Sequence, residues 1–85
     1  MTPCTARDGT VYTPDALYAL GGEYKRRSYV QREAAAYRLE RLTGRSGYAC
    51  RMAVEGHPSQ TFQAGEARTL HDAGFSLVRV SGIGG

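Results

Sequence analysis

The amino-acid sequence predicts one α+β domain: one short and one long helix, then a small sheet with a β-α-β or ββαβ C-terminal half. Three observations predict it. Residues 23–43 are a run of helix formers closed by Gly44, residues 48–54 alternate in polarity, and residues 75–81 are rich in β-formers. A length of 85 residues supports one core. Residues 1–81 are therefore expected to form a single domain, and residues 82–85 a flexible glycine-rich tail.

The elements follow in order. Asp8-Gly9, between Thr5-Ala6-Arg7 and Thr10-Val11-Tyr12, is a hairpin turn signal. Thr13-Pro14-Asp15 reads as a helix start: Thr can cap, Pro suits the first turn, and Asp opposes the positive end of the helix dipole. A short helix is expected over 14–20, ended by Gly21-Gly22. The long helix follows, with Ala34-Ala35-Ala36 at its centre. Tyr48, Cys50, Met52 and Val54 then alternate with Ala49, Arg51, Ala53 and Glu55, the pattern of a half-buried strand. Gly56-His57-Pro58-Ser59 breaks it, and residues 60–63 suit a brief second strand. Residues 65–73 read as a short helix with Ala67 and Leu70 inward and Gly74 at its end. A final strand over 75–81 completes either a crossover unit or a returning hairpin.

At about 100° per residue the long helix carries two apolar stripes. One holds Tyr24, Ala35, Leu39 and Leu42, with Ser28 and Gln31 in the same row. The other holds Val30, Ala34 and Tyr37, bracketed by Arg26 and Arg41. One core uses one stripe, so the second predicts a further contact. Three covers are candidates: the short first helix through Leu17 and Leu20, a second copy of the chain in a homodimer, or a foreign partner.

The net charge is +3, and it is unevenly placed. Lys25, Arg26, Arg27, Arg32, Arg38, Arg41 and Arg45 face only Glu23, Glu33 and Glu40, which puts +4 on residues 23–45 and −1 on the rest. Only Glu23 and Arg27 have the favourable acid-first spacing of four. This excess suits phosphate or an acidic protein surface. The basic residues wrap around the helix, however, unlike a helix dedicated to one DNA groove. A helix-turn-helix through Gly21-Gly22 would also need a shorter second helix.

The residues that could carry chemistry do not assemble into a motif. Cys4, Cys50, His57 and His71 lack the close pairing of a zinc site, so no metal and no cofactor are expected. Ser59, Thr61 and Ser76 have no nucleophile motif, and a Cys50–His57 pair would need an outward thiol. Cys50 is expected to be a buried, inert thiol, and Cys4 a reactive one in a mobile end. Gly84-Gly85 resembles the diglycine end of ubiquitin-like modifiers and small sulfur carriers, but the likeness spans two residues. Those families open on a strong hairpin and then one helix, whereas here the hairpin signal is weak and the first clear elements are helices.

No export signal and no membrane-length apolar run are evident, and the two thiols suit a reducing compartment, so a cytoplasmic protein is expected. The function expected is non-enzymatic docking on a larger protein or ribonucleoprotein complex. Arg26, Val30, Ala34, Tyr37 and Arg41 are the contact residues. In size and character the chain is similar to small phage or mobile-element inhibitors of host machines, such as anti-CRISPR proteins; no motif carries that likeness. The alternative is a basic nucleic-acid-binding protein that contacts phosphates through residues 25–45, with Lys25, Arg27, Arg32, Arg38 and Arg45.

Overall fold

The computed structural model describes residues 2–21, 26–54, 57 and 60–80. Its class is the α+β fold read from the sequence: three helices and two small antiparallel sheets among those residues. Asp8-Gly9 turns the chain as expected. Strand β1 (Cys4–Thr5) pairs antiparallel with β2 (Val11–Tyr12), Cys4 opposite Tyr12. Gly9 takes a φ of 93°, a region that side chains disfavour. The Thr10 N–H donates to Asp8 Oδ1 at 3.0 Å and fixes the turn.

The short helix expected over 14–20 does not form. Pro14-Asp15 is a turn, with the Ala16 N–H donating to the Thr13 carbonyl, and β3 (Tyr18–Leu20) follows. So short a helix is marginal alone, whereas the extended chain finds partners on both edges. Tyr18 exchanges two backbone bonds with Phe62, at 3.0 and 2.7 Å. On its other edge β3 pairs antiparallel with β4 (Leu77–Arg79), Leu20 opposite Leu77. Gly21, expected to end a helix, extends that ladder by donating to the Ser76 carbonyl at 2.8 Å.

Helix α1 (Tyr29–Thr43) begins later than residue 23. Ser28 and Gln31 form a reciprocal capping box at its start, and Arg26 and Arg27 lie before it. Its end is as expected: Gly44 adopts the left-handed conformation at φ 75° and donates to the Glu40 carbonyl. The strand expected over 48–54 is instead α2 (Gly47–Val54). Ser46 Oγ accepts from the Ala49 N–H, and Cys50 and Ala53 are buried, a spacing of three that belongs to a helix. The β-α-β or ββαβ C-terminal half is therefore corrected to two helices and one strand. Residues 60–63 supply only the Phe62 bridge. Helix α3 (Ala64–Asp72) matches its expectation, with Ala67 and Leu70 fully buried. Residues 22–25, residue 55, the expected break at 56–59 apart from His57, residue 81 and the glycine-rich tail lie outside the described residues.

Two apolar clusters meet on α3. One gathers Ala35, Ala36 and Leu39 of α1, Cys50 and Ala53 of α2, and Leu20, Phe62, Leu70 and Phe75. The other packs Ala6, Tyr12, Ala16 and Tyr18 against Ala64 and Ala67. Leu77 touches both. Leu39 is among the largest fully buried side chains, so α1 is anchored by its inner face and its opposite face is left outward.

Candidate functional site

The outward face of α1 carries the residues singled out as a second stripe. Val30, Ala34, Tyr37 and Arg41 are all exposed, Val30 at 75% and Tyr37 at 62%. Arg26 is exposed too, but it precedes the helix and is not part of the helical row. Leu17 and Leu20 do not cover this face, because that segment is a ladder strand and Leu20 is buried in the main core. The Arg41 guanidinium lies 6.0 Å from the centre of the Tyr37 ring, at the outer limit of a cation–π contact.

Beside this face, where α1 meets α2, lies a groove of about 260 Å³. Glu33, Ala36, Tyr37 and Glu40 of α1 line it with Gly47, Tyr48 and Arg51 of α2. Arg51 donates to Glu33 as an ion pair. Glu40 makes no ion pair with a described residue. Its carboxylate rests against Gly47, where a Cβ would stand 3.2 Å from Oε2. Tyr48 is 73% exposed. Sequence reasoning missed it, because a strand alternation placed it inward beside Cys50. Ser46 as a helix cap, followed by Ala49, Met52 and Ala53, was the signal for the helical alternative.

The residues assigned to phosphate binding are scattered. Arg45 is held inside the fold by Glu66, Gln60 Oε1 and the Thr61 carbonyl, with its guanidinium 5.1 Å from the Phe62 ring centre. Glu66 is held below the ordinary carboxylate range, chiefly by its hydrogen bonds from Arg45. Arg38 donates to the Ala73 carbonyl at 2.8 Å and lies 5.0 Å from the Phe75 ring centre. Arg32 is half-buried, and its buried Nε has no hydrogen-bond partner among the described residues. Arg27 is exposed, and Lys25 lies outside the described residues.

A hydrogen-bond chain joins the hairpin to α3. With the imidazole proton on Nε2, Tyr12 donates its O–H to His71 Nδ1 at 2.5 Å, and His71 Nε2–H donates to Asp8 Oδ2 at 2.8 Å. The Arg7 N–H adds a bond to Asp72 Oδ1. Burial, and then the charge of Asp8, push the Tyr12 phenol up, which keeps it a donor. Hydrogen bonds from Thr10, and then from His71, bring Asp8 down to about 2. Tyr12 is only 4% exposed and Asp8 lies at the surface, so this chain fastens the hairpin to α3 from the core outward. Tyr18 also has a local partner: burial would raise its phenol, but bonds from Thr13 and the nearby Arg79 outweigh this and lower it.

Cys50 is buried as expected, and burial pushes its thiol up. Cys4 is half-buried within β1, a correction to the mobile end expected for it. Both cysteines are free. Among the described residues, no group of three or more His, Cys, Asp or Glu side chains is placed to hold a metal ion. No helix among them is long and apolar enough to cross a membrane. Comparison with known protein families, characterised proteins and solved structures finds no match for this chain.

Proposed function

We propose that the protein works by docking on a larger protein or ribonucleoprotein complex, through the outer face of α1 and the adjoining start of α2. The observation that carries this reading is that Tyr37 on α1 and Tyr48 on α2, both exposed, line one groove, with exposed Val30 two turns earlier on α1. Single exposed apolar side chains are ordinary, but a contiguous set framed by charge marks a contact surface. Tyr and Arg are the side chains that dominate binding energy at such surfaces. The phosphate-binding alternative is weakened because Arg45 is held by Glu66 and its neighbours and exposed Arg38 already donates to the Ala73 carbonyl. Occupying the surface of a host machine is the mode of action such a small domain suits, as for the phage inhibitors it is similar to in size.

The test uses wild-type protein and a Val30→Asp/Tyr37→Ala variant as baits in a host lysate, with and without nuclease. The expected result is a nuclease-resistant protein partner retained near one-to-one by the wild type. The variant should lose it while keeping its circular dichroism spectrum and melting temperature. Equal retention by both baits would refute this surface. Loss on nuclease treatment would favour nucleic acid.

A further inference from the structure

Resting on that docking reading, we propose that the α1/α2 groove receives a single cationic side chain, an arginine or lysine of the docked protein. Tyr37 and Tyr48 flank it from the two helices, and Glu40 supplies the counter-charge.

The groove differs in charge from the rest of this basic helix. Its charged lining is Glu33, Glu40 and Arg51. Arg51 already neutralises Glu33, which leaves Glu40 as the carboxylate without an ion-pair partner among the described residues. Glu40 also lies close to α2. It rises from the last turns of α1, and Gly47 opens α2 without a side chain, so the carboxylate can lie against the backbone there. A Cβ at residue 47 would stand 3.2 Å from Oε2, so the glycine leaves space beside this exposed carboxylate.

The two rings complete the complementarity. Tyr37 and Tyr48 belong to different helices, are both largely exposed, and both line the groove. An aromatic face attracts a cation through its quadrupole, and a nearby carboxylate adds a direct charge interaction. An anionic occupant would meet Glu40, and a purely apolar one would bury that carboxylate unpaired at a large cost.

The probe is an alanine-rich peptide with one central arginine, compared with the same peptide carrying citrulline, a neutral isostere. Backbone amide NMR shifts of the full chain report the site. The arginine peptide should shift Tyr37, Glu40, Gly47 and Tyr48 and saturate, with affinity falling as salt rises. Glu40→Gln and Tyr48→Ala should each weaken it about 2- to 5-fold, the range for a partly exposed ion pair or cation–π contact. Equal shifts from the citrulline peptide, shifts located elsewhere, or unchanged affinity in Glu40→Gln would overturn the proposal. A peptide that fails while the Val30→Asp/Tyr37→Ala bait still loses its protein partner would sink the cationic occupant and leave the docking surface standing.

Discussion

Arg45 and Glu66 meet through two parallel bonds, Nε to Oε2 and Nη2 to Oε1, both 2.8 Å. Glu66 also accepts from the Gln63 N–H, so one carboxylate closes the start of α3 and anchors the residue that follows the end of α1. Arg45 belongs to the run of positive charge that suggested phosphate binding. Its partner is 21 residues away in sequence, beyond the reach of any local spacing rule.

The pair is expected to stabilise the fold. Arg45→Ala should lower stability in urea by about 1–2 kcal/mol, a value reduced for the partial exposure of both side chains. Arg45→Lys should not restore it fully, since an ammonium cannot reproduce the parallel fork. A lysine variant of wild-type stability would contradict the bidentate role.

Surface and core substitutions should separate cleanly. Tyr37→Ala is expected to weaken partner binding by about 1–2 kcal/mol with little change in melting temperature. Leu39→Ala, two positions along the same helix but fully buried, should cost about 2–5 kcal/mol of stability. Comparable destabilisation by both would mean that Tyr37 is packed, not presented.

Thiol titration tests the assignment of α2. Cys50 is buried at the centre of the main cluster and should react only on unfolding, whereas half-buried Cys4 should react first in the native protein. Cys50→Ala should cost on the order of 1 kcal/mol and leave binding intact. Two fast thiols would contradict the inward placement of Cys50.

Acid should loosen the hairpin clamp and the Arg45–Glu66 pair together. Asp8 and Glu66 both titrate below their ordinary values in the folded chain, Asp8 at about 2. Groups of this kind stabilise fully above their unfolded values, and the contribution is lost as pH falls through the folded ones. Stability in urea should therefore decline between about pH 4 and 2, and Asp8→Asn should flatten part of that decline. A slope unaltered in Asp8→Asn would remove Asp8 from the account.

Wherever local chemistry was decisive, the sequence determined the outcome by itself. Asp8-Gly9 made a turn because glycine tolerates a positive φ, and Gly44 ended α1 for the same reason. Ala67 and Leu70 faced inward because a spacing of three puts them on one side of α3. The outward face of α1 was legible as a surplus stripe. Only the tertiary structure decided the rest. Residues 18–20 became a strand because Phe62 and residues 77–79 offered ladder partners that no local propensity records. Residues 47–54 became a helix because, over eight residues, periods of 2 and 3.6 are hard to tell apart, and packing against α1 favoured burying Cys50 with Ala53. That single choice turned Tyr48 outward, beside Tyr37. The groove exists only because of it, since its two walls come from elements whose orientation is fixed by the core they share.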